Sequence, residues 1–521
     1  MSSVSTPFLF DSNKHSQIST PLLFIFLFIS ALLWLRSKFR QSPLPPGPRG
    51  LPLVGYLPFL STNLHHNFAD LAKIYGPIFK LRLGAKLCFV LTSPSSINEV
   101  LRHHETVFDN RDATVSARLC TYGGSDIVFS QNEGDWKKLR KIFARKMLSK
   151  ANLDASYPLR RQEVRKIIKG VLESAGTPID FGELSFLAAV KSVMAMIWGG
   201  SGGLTGVAVT DLEAKFREVV DELMVLLGTP NLSDLFPVLG CLDLQGIARK
   251  MKKVSNRCDE ILNSAIEGQR KKGRNGLENR GFLEFLLEVM EGEDNSESIT
   301  ENQLKGLLID IVIGGTDTTS TVIEWTMTEL LQQPNTMKKV IEELTNVVGL
   351  NQMVEEFHLS KLHYLDAAIK ETLRLHPPVS LLVPRVSSKT TTLEGYTIPK
   401  GSTIYFNVWA IQRDPKVWEN PLDFMPERFL NESNEKMYDF SGNKIEFCPF
   451  GSGKKSCAGI PLAERLLVLI LASLLHGFEW KLPEGSKLDL EEKFGIVTRK
   501  LNPLVVIPTP RLSNLELYNT M

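Results

Sequence analysis

The stretch from Ser298 to Pro334, SITENQLKGLLIDIVIGGTDTTSTVIEWTMTELLQQP, sets the strongest limit on what this chain can become. Two overlapping capping boxes open it, Ser298 with Glu301 and Thr300 with Gln303, and Pro334 closes it. A helix over 301–332 would be roughly 48 Å long. So long and apolar a helix belongs in the core of a large body. Its middle, Gly314 to Ser320, breaks helix preferences: each glycine costs about 0.8–1 kcal/mol relative to alanine, and the threonines compete for backbone hydrogen bonds. Lapses of this kind inside a strong helix mark a site. The alternative is a kink made for packing alone. Asp317 followed by Thr318 puts an ionisable group beside a hydroxyl at that place.

The rest of the chain reads as one mainly α-helical unit with a small β-rich part, spanning residues 56–521. β-like runs appear at Phe79 to Leu91 and around Thr390 to Ile404, no internal repeat is present, and no second linker divides the body. Polar segments at Gly268 to Gly281 and Glu291 to Glu297 read as surface loops, and Arg511 to Met521 as a loose tail. Lys and Arg number 60 against 58 acidic residues, so no global field points to nucleic acid. The six cysteines, at 88, 120, 241, 258, 448 and 457, are too scattered for a disulfide framework, an iron–sulfur cluster or a structural zinc site.

After a short tail over residues 1–17, Ile18 to Leu35 is an uncharged apolar run just long enough to span a bilayer. A buried core helix or a cleaved signal peptide fits it less well. Arg36, Lys38 and Arg40 follow the run and Lys14 alone precedes it, which keeps the body on the cytosolic side. The basic and Pro-rich segment 36–55 then reads as a stiff hinge, with five prolines between Ser42 and Gly55.

Near the C-terminus, PFGSGKKSCAGI (Pro449 to Ile460) looks at first like a phosphate cradle. The spacing G-x-x-x-x-G-K-[ST] fails twice, because Cys448 stands at the first glycine position and Lys455 at the hydroxyl position. Cys457 therefore needs another account. A lone cysteine is commonly a small buried hydrophobe. Here Gly451, Gly453 and Gly459 permit a tight turn, Pro449 and Phe450 offer an apolar wall, and an apolar-periodic helix follows, whose N-terminus favours a thiolate.

FGSGKKSCAG resembles the haem-binding signature F-x-x-G-x-[RH]-x-C-x-G of the cytochrome P-450 monooxygenases, matching at Phe450, Gly453, Cys457 and Gly459. Gly314 to Thr319 is similar to that family's oxygen-activation segment, Glu371 and Arg374 to its E-x-x-R, Pro426 to Phe429 to its PERF, and Trp136 with Arg140 to its W-x-x-x-R. One departure is Lys455, which replaces the usual arginine and keeps the charge while losing the planar fork.

The resemblance implies a cytochrome P-450 fold with a single N-terminal transmembrane helix, and haem b as cofactor. Cys457 would be the axial ligand of the haem iron, with Phe450, Gly453, Lys455, Gly459, Trp136 and Arg140 around the haem. Trp136 and Arg140 would meet a propionate. Asp317 and Thr318 would manage protons for O2 activation, and Glu371, Arg374 and Arg428 would form a structural cluster. Electrons would come from NADPH through cytochrome P-450 reductase, which Lys137, Lys138, Lys141, Arg145, Lys146 and Lys454 could meet, with cytochrome b5 as a further partner. The implied place is the endoplasmic reticulum membrane, in the plant microsomal branch. Leu119, Tyr122, Ile127, Ile309, Ile313, Leu382, Val383, Ile496 and Val497 are expected around the substrate, with Met224 to Leu227 and Ser380 nearby. That lining suits a small apolar metabolite, and the resemblance to a plant microsomal branch that oxidises sesquiterpenes implies one of that type. Flavonoid or aldoxime oxidation, a haem-thiolate isomerase or dehydratase, and a non-catalytic haem sensor or carrier are the alternatives.

Overall fold

Thr300 starts the long helix as its sequence requires. Its hydroxyl accepts the Gln303 N–H at 3.2 Å, and the Gln303 side chain accepts the Thr300 N–H at 3.0 Å. The competing box does not form, because the Ser298 hydroxyl donates to the Met290 carbonyl and Glu301 pairs with Lys305. The computed structural model describes residues 28–29, 43–131, 134–199, 207–272, 281–292, 298–431 and 438–519. Of the apolar run 18–35, only Phe28 and Ile29 are described, both helical and exposed; the remainder of the expected anchor, with residues 1–17 and 36–42, lies outside the described residues.

Five helices position the site: α1 (Leu64–Tyr75), α2 (Phe181–Trp198), α3 (Glu301–Gln332), α4 (His363–Leu375) and α5 (Ile460–Gly477). The long helix α3 packs along α2 and against α4 and α5 in the main hydrophobic cluster. A Cβ built on Gly315 would lie only 3.2 Å from a Val193 methyl, so this glycine lets α2 and α3 approach closely. Although α2, α3 and α5 are each long and apolar enough to cross a membrane, most of each is buried in the protein body.

The main sheet holds β1 (Ile78–Leu83), β2 (Lys86–Leu91), β3 (Asn110–Arg111), β4 (Arg385–Val386) and β5 (Thr403–Phe406) in the order β1-β2-β5-β4-β3. The β2–β5 pair is parallel and the others antiparallel. Aliphatic and aromatic side chains of these strands fill two smaller clusters. A further hairpin, β6 (Glu492–Lys493) and β7 (Arg499–Lys500), pairs Glu492 with Lys500.

Three expectations change. The first loop shortens, because the helix Ile247–Lys272 runs through residues 268–272. Gly281 then caps the next helix in a buried position where a Cβ would meet the Ile197 carbonyl at 2.5 Å. The second polar segment lies largely outside the described residues. The hinge is docked from Pro43 onward: the Lys80 N–H donates to Pro46 O, Thr397 N–H to Pro43 O, and Gly55 bridges to Leu83. The C-terminal tail is packed rather than loose, for a 3-10 turn, Leu515–Asn519, buries Tyr518. The Tyr518 hydroxyl accepts the Arg511 and Leu512 N–H groups and donates to the Gly477 carbonyl at the end of α5.

Candidate active site

Cys457 sits in a loop shaped by its glycines. Gly451 and Gly453 take φ of 72° and 74°, a region that side chains rarely adopt. The turn returns the Cys457 N–H to the Phe450 carbonyl at 2.9 Å, and the Gly459 N–H donates to Cys457 Sγ at 3.2 Å. The sulfur opens onto a cavity of about 250 Å³. Burial pushes its thiol up, while the Gly459 N–H and the Arg140 charge favour the thiolate.

The opposite wall is the irregular middle of α3. Gly314 and Thr318 line the cavity with Gly315, Thr319 and Val322. A Cβ on Gly314 would meet nothing within 4 Å, so the two adjacent glycines have different uses: one opens to the cavity and one seats a neighbouring helix. The Thr318 hydroxyl donates back to the Gly314 carbonyl at 2.6 Å. Asp317 faces away from the cavity. Its Oδ1 pairs with Arg499 Nη2 of β7 at 2.5 Å, and its buried Oδ2 has no partner among the described residues. Burial raises its pKa against the opposing pull of Arg499.

On the rim the residues fit the carboxylates of a haem. Arg140 Nη1 donates to the Ser456 carbonyl at 2.6 Å, Arg111 to the Val383 and Lys455 carbonyls, and Arg385 to those of Phe108 and Ser452. All three guanidinium groups and Lys455 border the cavity, and none has a carboxylate ion pair among the described residues. The Arg111 Nε is buried without a partner. Asp109, Glu105 and Asp126 offset these cations only in part, since burial still lowers the pKa of all four, and an anionic group at the rim would complete them. Lys455 Nζ donates to Ser130 O at 3.0 Å and lies 3.9 Å over the Trp136 ring. Burial and the neighbouring Arg111 lower its pKa to about 7.

Trp136 stands elsewhere than expected: it does not line the cavity, and its indole N–H donates to the Ile127 carbonyl at 3.0 Å. Gly453 serves the turn, and the space a Cβ would take there is filled by the Glu105 carboxylate. Phe450 and Gly459 line the cavity.

Of the nine expected substrate-lining residues, Ile127, Leu382 and Val383 border this cavity. Leu119, Tyr122, Ile309, Ile313, Ile496 and Val497 pack in the surrounding cluster instead, as do Met224 and Leu227. The Tyr122 hydroxyl is committed to Asp259 at 3.0 Å, and Ser380 to Thr498 and Pro377. Sequence reasoning missed Arg111 and Arg385, and within the expected stretch Ile309 to Ile313 it did not single out the buried acid Asp310. Asp310 borders the cavity and accepts the Ile127 N–H at 2.7 Å. Burial and the neighbouring Asp126 hold its carboxyl well above the usual range. The signal available for Asp310 was a single acid in the apolar run GLLIDIVIGG; the two arginines lie in short strands with no motif around them.

The segment beneath the cysteine loop is held by ions. Glu371 and Arg374 form a bidentate pair at 2.7 and 2.8 Å with both side chains at 0% exposure. Arg428 Nε donates to the same carboxylate at 3.2 Å, as does the Met425 N–H at 2.9 Å. Arg374 also donates to the carbonyls of Gln412, Pro421 and Asp423, which anchors the chain leading into PERF.

Comparison with known proteins agrees with this arrangement. A family model described as cytochrome P450 matches residues 45–507. The chain is 36% identical to a flavonoid 3'-monooxygenase of Petunia hybrida, over 94% of this chain and 96% of that one. It is 35% identical to ferruginol synthase of Isodon rubescens over 94% and 99% of the two chains, and 38% identical to carnosic acid synthase of Salvia pomifera over 89% and 93%. Among solved structures, a zebra fish cytochrome P450 with progesterone superposes with a TM-score of 0.72 at 26% identity, covering 86% of this chain and 99% of that chain. Family members use haem b, O2 and NADPH-derived electrons from a reductase. A cavity with a cysteine on one wall, a threonine-bearing helix on the other and a cluster of cations at its rim suits that chemistry, and this chain belongs to the cytochrome P450 family as a plant-type monooxygenase.

Proposed function

We propose that the protein oxidises a small apolar specialised metabolite of terpenoid type, with Cys457 as the axial thiolate. The observation that carries the assignment of roles is that Cys457 Sγ and the Gly314–Thr318 turn of α3 border one cavity. A haem held there by Cys457 would supply the activation of O2 and the transfer of one oxygen atom to substrate. Arg111, Arg140, Arg385 and Lys455 hold its carboxylates by charge. Thr318 Oγ1 moves a proton at the cavity wall, its hydroxyl kept in place by the Gly314 carbonyl. Asp317 is assigned the proton that replenishes it, which requires its carboxyl to turn from Arg499 toward the cavity. Glu371, Arg374 and Arg428 position the chain beneath the cysteine loop.

The apolar cavity wall, with Ile127, Val128, Val379, Leu382 and Val383, supports an apolar substrate, and ferruginol synthase and carnosic acid synthase are relatives. A second reading, hydroxylation of a flavonoid, rests on the equally similar flavonoid 3'-monooxygenases. Reductase docking is assigned to the face around Lys137, Lys141 and Arg145, all exposed, with Lys138 and Lys146 beside them. Lys454 is a poorer candidate, since it pairs with Glu105 at 3.3 Å. Cytochrome b5 is a second donor for the same face. Residues 18–35 anchor the chain in the endoplasmic reticulum membrane with the catalytic body cytosolic. Microsomes containing this chain and a reductase, supplied with NADPH and separate panels of terpenes and flavonoids, test the substrate. Oxygenated products from terpenes are expected; products from flavonoids alone would transfer the assignment to the second reading.

A further inference from the structure

We propose that His65, His66 and Glu492 form a binding site for a divalent transition-metal cation of the zinc class. His65 and His66 are consecutive residues in the first turn of α1, yet both Nε2 atoms converge on one oxygen of the β6 carboxylate. The distances to Glu492 Oε2 are 2.7 Å from His65 and 3.1 Å from His66. The three candidate ligand atoms all lie within 4.8 Å of one another. Two imidazoles and a carboxylate are a donor set that zinc takes with water in the fourth position. Ligands of a tetrahedral zinc stand about 3.4 Å apart, so the cluster must open by roughly half an ångström. An entry path exists, because the His66 side chain is 40% exposed while those of His65 and Glu492 are 0% and 6% exposed.

The surroundings provide an outer shell. His376 faces Glu492 Oε1 with Nδ1 at 3.4 Å and Glu329 Oε1 with Nε2 at 2.7 Å, so a third imidazole orients the ligating carboxylate. Asn63 donates to the Glu492 carbonyl and accepts the Phe494 N–H, which clamps the hairpin onto α1. Arg413, stacked 4.2 Å over Trp409, opposes a cation, but the Glu492 and Glu329 carboxylates outweigh it. Coordination through Nε2 would leave the proton of the neutral His65 ring on Nδ1, which is buried without an acceptor among the described residues, a cost that the metal–ligand bonds must offset. None of these residues borders the Cys457 cavity. The site nonetheless joins α1 and the end of α4 to the hairpin whose Arg499 pairs with Asp317.

The test uses full-length, haem-loaded enzyme in detergent, dialysed against ZnCl2 and assayed for bound metal and for thermal denaturation. Saturable binding of one zinc ion per chain is expected, with a higher Tm in zinc and no competition from excess Mg²⁺. His66→Ala, at an exposed position, should weaken binding at least about tenfold and abolish the zinc-dependent rise in Tm. Glu492→Gln should do the same. Absence of saturable binding to the wild type, or wild-type binding by folded His66→Ala, would overturn the proposal. If Glu492→Gln does not fold, His66→Ala decides alone.

Discussion

At the residue scale, two side chains on α3 separate catalysis from stability. Thr318→Ala removes the hydroxyl facing the cavity and leaves the helix backbone intact, so NADPH consumption should continue while product per NADPH falls. Fully coupled turnover in that variant would remove Thr318 from the proton route. Asp310 acts through its proton. Its folded pKa is raised, so it binds the proton more tightly in the folded than in the unfolded chain. The stabilisation is complete below the ordinary carboxylate range and is lost as pH rises through the raised value. Asp310→Asn preserves an acceptor for the Ile127 N–H and never ionises. Its Tm should fall less steeply with rising pH than the wild-type Tm; an unchanged slope would contradict a protonated Asp310.

At the element scale, the buried ion cluster ties α4 to the chain that leads into PERF. Breaking a buried pair by removing one partner costs about 3–5 kcal/mol. Glu371→Gln should therefore reduce the yield of haem-loaded protein sharply, and Arg374→Lys should not rescue it, because lysine lacks the fork that serves both Glu371 and the three carbonyls. Normal haem incorporation in Arg374→Lys would show that charge alone suffices. The C-terminal turn makes a smaller claim. Tyr518→Phe leaves the Leu512 N–H without its acceptor, while the Arg511 N–H keeps the Gly477 carbonyl at 2.9 Å, and should cost about 1–3 kcal/mol, measured as a shift in denaturation midpoint.

These elements were unequally legible in the sequence. Capping chemistry placed the long helix to the residue, since local hydrogen bonds set its end. The E-x-x-R pair, three residues apart on one helix, was readable as a pair; its complete burial was not, because the loops that cover it arrive from residues 412–428. Arg111 and Arg385 reach the cavity through pairing of two-residue strands distant in sequence, which no local pattern announces. The packed tail escaped for the same reason, its one decisive contact being a tyrosine hydroxyl across 41 residues.

At the scale of the whole molecule, the sheet, the helical cluster and the docked segment from Pro43 form the frame for the Cys457 cavity. The central claim is that Cys457 binds the haem iron there as a thiolate. The most direct measurement is the reduced, CO-bound absorption spectrum of the wild type beside Cys457→His, with haem content determined separately. The wild type should give the red-shifted Soret band of a thiolate complex, and the variant should lose that band even where haem remains bound. A thiolate-type band that persists in Cys457→His, or a wild type that binds haem without it, would contradict the account.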